Sequence, residues 1–169
     1  MPRIRARIAR TVAGVGAAAA LAVPMAAQAD AATTTVRLHA VTATGESLQG
    51  PATVFGSSVT LRPTNVNASD QKWQKTDVGS GFATYKLVSS LGTARELCLA
   101  GTPSSLRPFA ALCNPGSFAQ QWTRGFVNDG RILNRSAFTT LTRHPSGAVE
   151  LRFLGGGQVG QNWHEHAAS

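Results

Sequence analysis

Apolar and polar residues alternate with a period of two in Val59-Thr60-Leu61 and in Val149-Glu150-Leu151-Arg152-Phe153, the pattern of half-buried strands. Elsewhere, short β-branched runs are punctuated by Gly, Pro and Asn, which points to an all-β chain. Gly79-Ser80-Gly81 and Asn128-Asp129-Gly130 read as tight turns between longer units. Residues 11–29 differ from all of this. They are almost uncharged and Ala-rich, follow Arg3, Arg5, Arg7 and Arg10, and end in Ala27-Gln28-Ala29. A basic start, an apolar middle and a small-x-small ending predict a secretory signal peptide cleaved after Ala29. The remaining residues, 30–169, suit a single domain of an exported protein.

The most informative pattern is a repeat. Gln71-Lys72-Trp73, Gln120-Gln121-Trp122 and Gln161-Asn162-Trp163 use all three tryptophans of the chain. The first and third copies also share Val-x-Leu-Arg, at Val59 to Arg62 and Val149 to Arg152, in the same frame. The second copy has Ala110-Ala111-Leu112-Cys113 in that region. The copies run about 34–78, 82–128 and 130–167. None is long enough to bury its own apolar face, so the three are expected to share one core in a closed threefold barrel. Cys98 and Cys113 are the only cysteines. In an exported protein such a pair is most simply one disulfide, with two free thiols as the alternative.

The order Tyr85-Lys86-Leu87-Val88, Glu96-Leu97-Cys98-Leu99, Cys113-Asn114 and Gln120-Gln121-Trp122, together with the triplets, resembles the ricin B-type lectin family. That resemblance implies a β-trefoil with twelve strands, four per copy, and a disulfide between Cys98 and Cys113 within the second. It also implies structural roles for the triplets. Trp73, Trp122 and Trp163 would fill the shared core, each burying about 200 Å². Gln71, Gln120 and Gln161 would tie neighbouring backbone groups.

Lectins of this family bind sugar through an Asp two residues after the first Cys, an aromatic two before the second, and a polar residue just before Gln-x-Trp. The second copy has Ala100, Ala111 and Ala119 at these places, and the third has Thr142, Arg152 and Gly160. The first copy is the most polar, with Gln49, Thr60, Arg62 and Asp70, and these four are the candidate carbohydrate-binding residues. Their alternative is the ordinary role of solvated strand and loop residues. Phe109 suits either an exposed stacking ring or the core.

Charge adds little. The formal net charge is +8, but the leader contributes half of it, so the high pI is no argument for nucleic acid. No later stretch approaches the ~18 apolar residues of a membrane span. Arg131, Arg135, Arg143 and Arg152 concentrate mildly in the third copy, where an anionic polymer or a generic basic surface explains them equally well. His164-Glu165-His166 puts two imidazoles on one strand face, but the segment reads as a frayed tail, and no metal or other cofactor is expected. No Gly-x-Ser-x-Gly elbow appears, and Gly155-Gly156-Gly157 reads as a turn rather than a phosphate loop. The expectation is a non-enzymatic, monomeric module that binds carbohydrate or cell-wall polysaccharide. Its rival is a trefoil that binds a secreted protein, for example as a protease inhibitor, through loops 102–108 (Pro103, Arg107, Pro108) and 143–147.

Overall fold

The computed structural model describes residues 31–43, 45–51, 55–124, 130–154 and 159–168. The expected signal peptide, most of the Asn128-Asp129-Gly130 turn and the Gly155-Gly156-Gly157 turn lie outside them. The described chain forms twelve strands: β1 (Thr33–Ala40), β2 (Glu46–Gln49), β3 (Thr60–Pro63), β4 (Trp73–Gly79), β5 (Phe82–Leu87), β6 (Leu97–Ala100), β7 (Phe109–Leu112), β8 (Trp122–Arg124), β9 (Ile132–Asn134), β10 (Thr139–Arg143), β11 (Val149–Phe153) and β12 (Trp163–Ala167).

Six of them make a barrel by antiparallel pairing in the order β12-β1-β4-β5-β8-β9. A bridge between Arg131 and Asn162 closes it. The other six pair as hairpins, β2-β3, β6-β7 and β10-β11. Each repeat thus gives two barrel strands and one hairpin. This is a β-trefoil. Gly79, Ser80 and Gly81 all have positive φ, which closes the β4-β5 hairpin where the first repeat meets the second.

Trp73, Trp122 and Trp163 are fully buried. Each indole N–H donates to a hairpin-strand carbonyl of its own repeat: Leu48 at 3.0 Å, Leu99 at 2.9 Å and Leu141 at 2.9 Å. The glutamines beside them make equivalent bonds. Gln71 donates to the Pro63 carbonyl and accepts from the Asn65 N–H, and Gln120 does the same with Leu112 and Asn114. Gln161 donates to Phe153 O, while its buried Oε1 has no partner among the described residues. The residue six before it, the equivalent of Asn65 and Asn114, is Gly155, outside them. The Cys98–Cys113 disulfide closes a separation of 15 residues in the second repeat. Constraining a loop of that length in the unfolded chain contributes about 3 kcal/mol in the chain-entropy account.

Two residues beyond each Trp, with the same inward phase, stand Lys75, Arg124 and Glu165. Glu165 accepts from Lys75 at 3.0 Å and from the Tyr85 hydroxyl at 2.5 Å, with Arg124 at 3.8 Å. Lys75, Tyr85 and Arg124 also line a cavity of about 360 Å³ at this end of the barrel. The segment read from sequence as a frayed tail is therefore β12. It pairs with β1 from Val36↔Ala167 to Ala40↔Trp163, and the register that sets Glu165 opposite the buried Leu38 sends it into the barrel.

Two outcomes are expected. Trp122→Ala should cost about 3–5 kcal/mol, read from denaturant unfolding, and a wild-type transition would contradict the buried ring. Tyr85, the only tyrosine, has its pKa raised well above the ordinary value, first by burial and then by Glu165. Its neutral form is favoured in the fold, so this stabilisation holds below about pH 10 and fades as pH climbs through the folded value. Phenolate absorbance should therefore emerge together with unfolding. Titration near pH 10 with the fold intact would contradict the buried pair.

Candidate functional site

The hydrogen bonds of the core fix which rim positions are equivalent. The indole bonds to Leu48, Leu99 and Leu141 align the next residues, Gln49, Ala100 and Thr142. The glutamine bonds to Pro63, Leu112 and Phe153 align the preceding residues, Arg62, Ala111 and Arg152. Three backbone bonds, Gly50 N–H to Asp70 O, Gly101 N–H to Ala119 O and Arg143 N–H to Gly160 O, align the last set. Each repeat thus brings its three positions to one place on the rim.

In the first repeat, Gln49 Nε2 donates to Asp70 Oδ2 at 2.8 Å. Gln49 Oε1 accepts from the buried Gln71 at 3.4 Å, which anchors the pair to the core. Gln49 and Asp70 are half-buried, while Thr60 and Arg62 are exposed. Thr60 pairs directly with Gln49, and Arg62 lies two residues along β3 on the same face. All four candidate residues are therefore neighbours: a carboxylate and an amide held by each other, flanked by a hydroxyl and a guanidinium. A carboxylate so held accepts hydroxyl hydrogen bonds, and the guanidinium offers planar donors.

The other two rims are different. The second presents only alanines. In the third, Thr142 is buried and donates to the Thr140 carbonyl. Arg152 is drawn to Glu150, with Nε at 2.8 Å. Gly160 has φ +90°, and a Cβ there would run into the Arg143 carbonyl oxygen. Glycine at this place is a steric requirement, which removes any ligand-binding side chain.

The arginines of the third repeat are held by partners. Arg135 stacks between Phe82 and Phe118, its guanidinium carbon 4.7 and 4.0 Å from the ring centroids, and Arg143 reaches Glu46 at 3.4 Å. Phe109 is half-buried. Loop 102–108 lies against β11, where the Leu151 N–H donates to Leu106 O. Leu106 and Phe153, 81% and 76% exposed, border a cleft of about 420 Å³ with Glu150 and Arg152.

Of a further cluster the sequence shows only the His164 and His166 pair, and the third member, His39, comes from the far end of the chain. His164 and His166 project outward from β12, and β1 sets His39 beside them. His39 Nδ1 lies 3.0 Å from the Glu46 carbonyl oxygen. Burial, and then His166, holds the His39 pKa below its ordinary value. Among the described residues no helix is long and apolar enough to cross a membrane.

No protein-family model matches the chain, and no curated protein matches it. Solved structures do. ThreeFoil, a designed threefold-symmetric protein, aligns with TM-score 0.64 at 20% identity, over 78% of this chain and 96% of its own. A Polyporus squamosus lectin bound to Neu5Acα2-6Galβ1-4GlcNAc aligns with TM-score 0.64 at 16% identity, over 79% of this chain and 49% of its own. A GlcNAcα1-4Gal-releasing endo-β-galactosidase from Clostridium perfringens aligns with TM-score 0.64 at 14% identity, over 80% of this chain and 33% of its own. The chain thus spans all but a little of the designed trefoil, about half of the lectin and a third of the enzyme. At these identities the likeness is one of fold.

Gly160→Ala should lower stability by about 1–2 kcal/mol from the positive φ alone, with the contact to Arg143 adding to it. An unchanged denaturation midpoint would show that the close approach does not exist.

Proposed function

We propose that residues 30–169 form one exported, non-enzymatic carbohydrate-binding domain with a single shallow subsite in the first repeat, made by Gln49, Thr60, Arg62 and Asp70. The observation that carries this reading is the Gln49–Asp70 hydrogen bond, anchored by Gln71 and bordered by exposed Thr60 and Arg62. Asp70 accepts from a pair of sugar hydroxyls, Thr60 adds a hydroxyl, and Arg62 lies flat against the ring or donates to its oxygens. The basic, then apolar, start of the chain supports export. Carbohydrate-binding proteins among the trefoils of similar structure support the ligand class.

A second reading has its own support. Leu106 and Phe153 stand exposed side by side at loop 102–108, a surface of the kind a protein partner covers.

A panel of glycans and cell-wall polysaccharides, probed at physiological salt with the protein lacking residues 1–29, separates the two. Saturable binding is expected, weakened about tenfold or more by Asp70→Ala and by Arg62→Ala, since each removes a charged hydrogen-bonding group. The melting temperature should shift little, because neither side chain is in the core. Glycan binding that ignores both substitutions refutes the subsite. No glycan binding, together with capture of a secreted protein that Leu106→Ser or Arg107→Ala abolishes, moves the function to loop 102–108.

A further inference from the structure

The outer face where β1 meets β12 gathers three of the four histidines of the chain. Leu38, Trp163 and Glu165 point into the barrel, so strand alternation turns His39, His164 and His166 outward together. His39 is directly opposite His164, and His166 is two residues farther along β12. The His39 and His166 ring centroids are 4.8 Å apart and nearly perpendicular, and those of His164 and His166 are 5.9 Å apart. Two imidazoles on one tetrahedral ion, with metal–nitrogen distances of about 2.0–2.1 Å, have centroids about 5 Å apart.

The tautomer of His39 is set by its surroundings. A carbonyl oxygen, that of Glu46, faces its Nδ1 at 3.0 Å, so Nδ1 carries the proton and Nε2 holds the free lone pair. A backbone carbonyl fixing the far nitrogen in this way is how proteins orient metal-ligating histidines. The rings border an open cleft of about 470 Å³ with Ala40, Val41, Gly45 and Thr64. Of the nearby charges, the Glu46 carboxylate is with Arg143, while Arg37, opposite His166 on β1, donates to the Val66 carbonyl and keeps its positive charge beside the rings, which an ion there must outweigh.

We propose that His39, His164 and His166 form a surface site for a divalent transition metal that favours imidazole, Zn²⁺ in the first instance. Its fourth position is open to water or to a ligand oxygen in the cleft. Three imidazoles and one open position are a ligand set that zinc accepts. As placed, the three side chains do not yet surround a common point. Bringing them together takes a change of rotamer at the exposed His164 and His166, which gives up the present edge contacts between the rings.

The test is calorimetric titration of Zn²⁺ into untagged, chelator-treated protein in a non-coordinating buffer. One ion per chain is expected. His39→Ala, His164→Ala and His166→Ala should each weaken binding by about tenfold or more, since losing even an outer-shell partner of a ligand costs about 10–100-fold. His144→Ala, which removes the remaining imidazole, should leave binding unchanged. His39 is half-buried, so His39→Gln serves beside the alanine variant, and both are checked for a wild-type melting curve. Absence of saturable binding overturns the proposal. So does binding that survives both His39 variants, which would mean chelation by the β12 pair alone, and so does binding lost with His144→Ala.

Discussion

Three indole N–H groups with nowhere else to donate govern this fold. A Trp ring buried completely must pair its single donor or leave an uncompensated polar group in the core, at a cost of about 1–3 kcal/mol. Each ring meets the demand with a carbonyl on its own hairpin. That bond fixes how deep the hairpin docks and in which register. The glutamine two residues earlier then anchors the other hairpin strand and, in the first two repeats, the turn that leads to the Trp. Every rim position follows from these contacts, which is why three repeats with little else in common present equivalent places.

The barrel was legible because its determinants are local. The triplet spacing, the period-two runs and the second-repeat cysteines each lie within one copy, and all reappear as the twelve strands and the disulfide. What escaped depends on closure. Nothing near His39 announces His164, because β1 and β12 meet only when the barrel shuts. Glu165 carried a readable signal in its inward phase two residues after Trp163, but a carboxylate there looks forbidden until Lys75, Tyr85 and Arg124 converge on it from three other strands. Of the candidate site, the offsets from the motif located Gln49 and Asp70, whereas their bond to each other is a tertiary fact. Gly160 looked like a missing side chain. It is a response to the Arg143 backbone, visible only as a positive φ.

The three rims show how a symmetric scaffold separates fold from chemistry. The interior repeats faithfully, since the rings and glutamines answer to the same geometry in each copy. The exterior is under no such obligation. One copy keeps a polar pair, one has only methyl groups, and one has exchanged a side chain for a close backbone approach. An Arg–Glu pair and an arginine held between two rings occupy the outer surface of the third repeat without disturbing the core.

The seam between β1 and β12 also determines how the domain is carried. Val36 lies beside Ala167, and the Ala168 N–H donates to the Thr35 carbonyl, so the chain enters and leaves at neighbouring points. Both points are on the rim away from the hairpins, because β1 runs toward the first hairpin and β12 comes back from the last. Any segment joined at either end therefore acts as a tether at a single spot. The three hairpin-bearing rims remain unobstructed, and the unit can be spliced into a larger architecture, or permuted by linking its ends, with little disturbance of the barrel.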